Sequence, residues 1–128
     1  MDRSIKMSET ESKIMEVLWT SETPMSSAML LSYFAEHHGK TWKAQTLATF
    51  LARLIKKGLV TAVRPGRVIY YHPVQTPEKY RQNIAQEILD TLYQSSIKNF
   101  FVALYGDSQL SDKDRKELQE WLDKKVEP

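Results

Sequence analysis

The sequence lacks cysteine altogether, although it is 128 residues long. Without a thiol, the chain can form no disulfide bond, no thiolate metal site and no cysteine nucleophile. It also lacks any stretch approaching the ~20 apolar residues of a membrane-spanning helix, and its first residues have neither an apolar signal core nor the composition of a transit peptide. We therefore expect one domain, or a small domain with an appendage, in the cytoplasm and without membrane association.

Groups that carry catalysis or bind metals are also scarce. The only imidazoles are those of His37, His38 and His72. Neighbouring residues on a helix point about 100° apart, so His37 and His38 cannot chelate one ion well from one face. There is no glycine-rich phosphate loop, and no serine stands with a histidine and an acid in a recognisable arrangement. The sequence predicts neither an enzyme nor a bound metal or cofactor.

Acidic residues are missing from the middle of the chain. Glu36 and Glu78 enclose a stretch with no Asp or Glu but with seven Lys and Arg. The formal net charge of +2 hides this segregation, because residues 1–75 contain ten Lys and Arg against six Asp and Glu, whereas the remainder contains eight against ten. A cationic segment of this kind is typical of a protein that binds the phosphate backbone of nucleic acid.

The segment from Trp42 to Gly58 predicts an amphipathic helix inside this stretch. Lys56 and Lys57 suit the negative end of the helix dipole, and Gly58 supplies a left-handed stop. A core helix with a solvated basic face is the alternative, but the missing acids and a polar stripe of threonines and cations favour a DNA-recognition helix. Trp42 could stack on the DNA backbone, although we expect it to pack into the core. The apolar positions at helical spacing are Leu47, Leu51, Leu54 and Ile55.

Two short runs rich in Val, Ile, Thr and Tyr follow the helix and predict a hairpin. They are Leu59–Arg64 and Arg67–His72, with Pro65-Gly66 between them at positions that suit a type II turn. A longer or splayed tip is the alternative, because type II turns do not match strand twist in the tightest hairpins. Either geometry places Arg64 and Arg67 at the tip, where they could reach phosphates or a narrow minor groove.

The residue types suggest different roles in DNA binding. Gln45 could pair with adenine, and Thr46 or Thr49 could contact a thymine methyl or a phosphate. Cations nearer the end of the helix would hold phosphates and fix its register. The predicted DNA-binding residues are Lys43, Gln45, Thr46, Thr49, Arg53, Lys56, Lys57, Arg64 and Arg67.

Two further helices should precede the recognition helix. Ser8 and Glu11 form a capping-box pattern ahead of a helix that ends near Thr20, and Ser26 caps a second helix that ends before Gly39. Three helices and a hairpin in this order predict a winged helix-turn-helix, so the fold class is mainly α with a small β-hairpin wing. We expect residues 1–75 to form the DNA-binding domain and residues 76–128 to form a helical dimerisation region.

The C-terminal region continues with apolar positions at helical spacing. Thr76-Pro77 predicts a helix start, and Ser111 caps the last helix. The winged-helix core should already be closed, so these helices need another partner: a second subunit, or alternatively their own domain. The predicted dimerisation residues are Ile84, Ile88, Leu92, Ile97, Phe100, Phe101, Leu104, Leu118, Trp121 and Leu122.

Three blocks of the chain resemble the penicillinase and methicillin-resistance repressors and their copper-responsive relatives. The blocks are SETESKIMEVLW near the N-terminus, the TW…TL..FLARLIKKGLV segment at Thr41–Val60, and GRVIYYHPV at Gly66–Val74. The resemblance implies a homodimeric repressor that binds double-stranded, palindromic operator DNA and dimerises through its C-terminal helices. The alternative is a winged-helix protein-interaction module without sequence-specific DNA binding.

The resemblance also implies a cleavage site. The β-lactam-responsive members have an Asn-Phe bond that a sensor-linked protease cuts, and Asn99-Phe100 occupies the corresponding place. Alternatively, Phe100 would belong to the dimer core whether or not the bond is cut. The metal switch of the copper-responsive members needs cysteines and cannot operate here. Lys43-Ala44 replaces the serine-proline pair common in the family, so Thr41 is the candidate helix cap.

Overall fold

The computed structural model describes residues 6–106 and 110–126. It contains six helices and three strands within those ranges. The elements follow in the order α1 (Glu9–Thr20), β1 (Met25–Ser26), α2 (Ser27–His38), α3 (Ala44–Lys56), β2 (Val60–Val63), β3 (Tyr70–Pro73), α4 (Pro77–Leu92), α5 (Ile97–Tyr105) and α6 (Asp112–Val126).

The first two helices begin at the predicted caps. The Ser8 hydroxyl accepts from the Glu11 N–H at 3.2 Å, and the Glu11 carboxylate accepts from the Ser8 N–H at 2.9 Å. This confirms the capping box. The Ser26 hydroxyl accepts from the Met29 N–H at 3.2 Å. Gly39 ends α2 with a φ of 64°, a left-handed conformation that favours glycine.

The recognition helix α3 is shorter than the predicted segment. It begins at Ala44, with Lys43 as its N-cap and no capping hydrogen bond from a side chain. Thr41 therefore does not cap the helix, and Lys43 cannot, because an ammonium group accepts no hydrogen bond. The C-terminal stop is as predicted: Gly58 has a φ of 79°, and the Leu59 N–H donates to the Leu54 carbonyl at 3.0 Å.

The predicted hairpin forms, and its tip is the longer loop that the sequence left open as the alternative to a type II turn. β2 and β3 are antiparallel, with Val60 opposite Pro73 and Val63 opposite Tyr70, and β1 pairs with the other edge of β3. The strands are shorter than the sequence runs, so the loop covers residues 64–69. A type II turn with Gly66 in third position is wrong, because that turn needs a positive φ and Gly66 has none.

The core of the N-terminal part lies between α1, α2, α3 and the sheet. Trp42 packs against it, with ring centroids 4.7 Å from Phe34 and 5.9 Å from Phe50, which confirms its predicted place. The buried apolar side chains are Ile14, Met15, Val17, Leu18, Met25, Leu30, Phe34, Leu47, Leu51, Leu54, Leu59 and Val60.

The chain divides into two compact units, the first ending at Ile84 and the second beginning at Ala85. In the first unit, the Trp19 indole N–H donates to the Gln75 carbonyl at 2.9 Å, and Tyr80 of α4 lies against the same ring. The start of α4 thus belongs to the N-terminal fold. None of the helices in the described part of the chain combines the length and apolar composition needed to cross a bilayer.

The predicted caps of the C-terminal helices are also present. The hydroxyl of Thr76 accepts the N–H of Lys79 at the start of α4. The Ser111 hydroxyl accepts the N–H of Asp114 at the start of α6. Ser96, which was not among the predicted caps, caps α5 in the same way. Each hydroxyl satisfies one of the N–H groups that a helix start leaves without an intrahelical partner.

Candidate nucleic-acid interface

The outward face of α3 lies opposite its buried leucines. Leu47, Leu51 and Leu54 are buried, so the residues about half a turn away point to solvent. Ala48 and Ala52 are also exposed; they end at Cβ and leave part of this face low between longer side chains. We call this surface the recognition face. A shallow depression on it is lined by Gln45, Ala48, Thr49, Ala52, Arg53 and Lys56.

Four of the predicted DNA-binding residues lie on the recognition face: Gln45, Thr49, Arg53 and Lys56. Thr46 is exposed but lies about 100° around the helix axis from its neighbour Gln45, on the flank of the face. Lys43 is exposed directly before the helix starts. The structure therefore brings most of the predicted helix residues to one surface.

The sequence prediction missed Ala48 and Ala52, which are both exposed on the recognition face. Alanine carries no charge or hydrogen-bonding side chain, so a search for polar groups passes over it. The helical phase set by Leu47, Leu51 and Leu54 contains part of the signal, because it places Ala52 on the far side of the helix and Ala48 at the edge of the exposed side. Their small side chains allow the helix backbone to come close to a bound surface.

Lys57 has a different environment from Lys56. Its Nζ donates to Glu11 Oε1 at 2.6 Å and to the Lys6 carbonyl at 2.9 Å. Its side chain is 28% exposed, and the partner carboxylate is 3% exposed. Lys57 thus makes an internal ion pair, beside the recognition face and not on it.

Burial alone would raise the pKa of the Glu11 carboxyl. Hydrogen bonds from the Lys57 ammonium and the Ser8 N–H, together with the positive charges of Lys57 and Arg53, outweigh this effect and hold the pKa of Glu11 below its usual value. Glu11 is therefore a carboxylate at neutral pH, and the ion pair with Lys57 persists there.

This lowered pKa predicts how the stability of the fold depends on pH. Glu11 contributes stability above its unfolded pKa of about 4.3, and loses it as pH falls through the lower folded pKa. We expect the free energy of unfolding of Glu11→Gln, measured by urea titration at several pH values, to fall less steeply below about pH 4.3 than that of the wild type. Glu9→Gln is the control, because Glu9 is exposed in the same turn. Equal slopes for wild type and Glu11→Gln would contradict the prediction.

The wing places its two arginines in the loop between β2 and β3. Arg64 and Arg67 are both exposed, as predicted. The loop also exposes Val68 and Ile69, which the charge pattern did not single out. The wing therefore offers two cations and a small apolar surface, and a six-residue loop gives these side chains more reach than a tight turn would.

Helices α4, α5 and α6 expose much apolar surface in the described chain. No residue of α4 or α5 is buried, and Leu92 and Ile97 are 65% and 61% exposed. The predicted dimerisation residues are all exposed or half-buried. Val102 and Tyr105 of α5 extend this surface beyond the prediction.

Three helices, a hairpin wing and an exposed recognition face together define a winged helix-turn-helix protein of the DNA-binding type. A model of the family described as "Penicillinase repressor" matches residues 7–124. The chain belongs to this family, whose members are transcriptional repressors and not enzymes. This match confirms the family resemblance found in the sequence.

Individual relatives agree with this assignment. The chain is 25% identical to the penicillinase repressor of Bacillus licheniformis over 123 residues, covering 96% of this chain and 94% of the relative. It is 18% identical to the methicillin resistance regulatory protein MecI of Staphylococcus aureus (strain N315) over 124 residues, covering 97% and 98%. The solved DNA-binding domain of the repressor BlaI matches with a TM-score of 0.52 and 29% identity, covering 62% of this chain and 94% of that domain. The predicted fold class is confirmed.

Proposed function

We propose that this protein is a homodimeric repressor that binds a palindromic operator in a sequence-specific way. The observation that carries the proposal is the exposed recognition face of α3, together with a wing that exposes two arginines. In a winged helix-turn-helix, this helix enters the major groove. The likeness to the DNA-binding domain of BlaI supports the same use of the fold.

Side chains of the recognition face would divide the work of binding. Gln45 and Thr49 lie where base edges would be contacted, with Gln45 suited to adenine. Arg53 and Lys56 would neutralise phosphates, assisted by Lys43 before the helix, Thr46 on its flank, and Arg64 and Arg67 on the wing. Ala48 and Ala52 would let the helix approach the groove floor, where their methyl groups can contact thymine methyls.

The exposed apolar residues of α4, α5 and α6 support dimerisation. An apolar surface of this extent is costly in water, and the same surface on a second copy would cover it. A two-fold axis between the subunits would present two recognition faces to two half-sites about one or two helical turns apart, each turn being ~34–36 Å. The dimer would thus match a palindromic operator.

The proposal predicts a two-fold-symmetric footprint whose affinity falls steeply with salt. If each subunit neutralises three or four phosphates, raising the salt concentration from about 50 mM to 200 mM should lower operator affinity by roughly a thousandfold or more. Footprinting on DNA upstream of the protein's own coding sequence measures the symmetry of the protected region. Titration at several salt concentrations then measures how affinity depends on salt. Scrambled DNA of equal length and composition is the control. Affinity that does not respond to salt would contradict phosphate binding.

We also propose that cleavage between Asn99 and Phe100 inactivates the repressor. Asn99 is exposed in the first turn of α5, and the cut would separate Phe101, Leu104 and α6 from the rest of the chain. Mass spectrometry of protein from β-lactam-treated cells is expected to show a fragment ending at Asn99, and Asn99→Ala to remain intact. An intact wild-type chain under these conditions would exclude the cleavage.

A further inference from the structure

Glu11 is a buried carboxylate that the proposed interface does not use. The residue is 2% exposed, in the first turn of α1 beside core side chains. A carboxylate in such a place is costly unless it is hydrogen-bonded and paired with a cation. Its Oε1 accepts both the Ser8 N–H and the Lys57 ammonium. A capping box needs only the first of these bonds, so the pairing with Lys57 calls for a separate explanation.

Lys57 links three parts of the chain that are distant in sequence. It directly follows α3, and its Nζ donates to Glu11 in α1 and to the Lys6 carbonyl in the segment before α1. Two of the three ammonium donors are thereby used. The ion pair attaches the C-terminal end of the recognition helix to the N-terminal helix.

The pair adds a directional constraint that the apolar core lacks. Between α1 and α3, Leu54 packs in the same cluster as Ile14 and Leu18, and hydrophobic contacts of this kind are not directional. A charged hydrogen bond of 2.6 Å has a preferred distance and angle. It therefore restricts rotation and sliding of the last turn of α3. Arg53 and Lys56 project from that same turn.

We propose that Glu11 is a positioning residue for the recognition helix, acting through Lys57. The pair sets the orientation at which the recognition face meets base edges, and it keeps the Lys57 cation away from the phosphates. This inference rests on the proposed function. It also separates two adjacent lysines by role: Lys56 neutralises a phosphate, whereas Lys57 orients the helix.

The test compares these two lysines through the salt dependence of DNA binding. The variants are Glu11→Gln/Lys57→Met, which removes both charges and leaves no unpaired carboxylate in the core, and Lys56→Met as the matched control. Affinity is measured for the operator duplex found by footprinting and for random-sequence DNA of equal length. Thermal unfolding verifies that each variant is folded.

Lys56→Met is expected to weaken binding to both DNAs alike and to reduce the salt slope by about 1 per subunit. The double variant is expected to keep the wild-type slope and its affinity for random DNA, while losing operator affinity by roughly 10-fold, because base contacts tolerate less misorientation than phosphate contacts. Lys57→Arg keeps a cation opposite Glu11 and is expected to retain most of the operator preference.

Two results would overturn the proposal. A reduced slope in the double variant, equal to that of Lys56→Met, would show that Lys57 itself binds phosphate. If the double variant keeps both the wild-type salt slope and the wild-type operator preference, the ion pair stabilises only the fold. Failure of the proposed function is distinguishable from both, since the wild-type protein would then lack any operator preference.

Discussion

Ala52→Glu is expected to lower operator affinity by roughly 100- to 1,000-fold without lowering the unfolding temperature. Ala52 is exposed in the middle of the recognition face, so a longer side chain has room in the free protein, and glutamate is a good helix former. In the complex, glutamate would hold the helix away from the groove floor and repel phosphates. A loss of about 1.5 to 2 kcal/mol of binding free energy at each of two half-sites corresponds to the expected 100- to 1,000-fold change in affinity.

The measurement is an operator titration at fixed salt, with circular dichroism melting as the stability check. Gln86→Glu is the control, because it adds the same charge at an exposed position of α4 on the side of the helix away from Ile88 and Leu92. It is expected to bind the operator within a few-fold of the wild type. Wild-type affinity for Ala52→Glu would show that the centre of the recognition face does not contact DNA.

If the protein dimerises as proposed, Leu92→Asp is expected to convert the dimer to monomers over a wide concentration range. Leu92 is 65% exposed in the single chain, so the change should cost the folded monomer little. A dimer that covers this position would instead bury a carboxylate in each subunit. At about 2 kcal/mol for each unpaired group, the dimer dissociation constant should rise by roughly 1,000-fold.

Analytical ultracentrifugation over a range of concentrations measures this shift directly. Gln86→Asp is the control, because it adds the same charge at an exposed position of α4 on the side of the helix away from Ile88 and Leu92. It is expected to remain dimeric. A wild-type monomer would contradict dimerisation, and a Leu92→Asp dimer of unchanged strength would place the interface elsewhere. Operator binding by the Leu92→Asp monomer should also lose its two-fold footprint.

Most helix caps and buried positions of the N-terminal fold were predictable because their causes are local, but Thr41 does not cap α3 and Ile55 of its apolar side is 41% exposed. Ser8, Ser26 and Gly58 act on backbone groups within a few residues, so sequence neighbours suffice to identify them. The phase of α3 follows in the same way from its leucines. The type II turn at Gly66 was wrong because the strands end early, and strand length depends on pairing with distant residues.

The candidate interface was predictable as a region but not in every residue. An uninterrupted run of cations is visible in composition, and exposed arginines at a hairpin tip follow from the turn residues. Charge counting selected Lys57 and passed over Ala48 and Ala52, because it ignores where the side chain points. Two adjacent lysines look equivalent in sequence, although Lys57 lies against a carboxylate 46 residues away.

Local pattern and composition alone determined that this chain has a basic winged helix-turn-helix followed by amphipathic helices, and the family resemblance added the role of repressor. Only the tertiary structure decided which cations face outward, how long the wing loop is, and that the start of α4 packs on Trp19. The physical reason is the distance in sequence over which each interaction acts. Caps and periodicity act over one or two helical turns, whereas the ion pair between Glu11 and Lys57 forms only after the core has brought α1 and the end of α3 together.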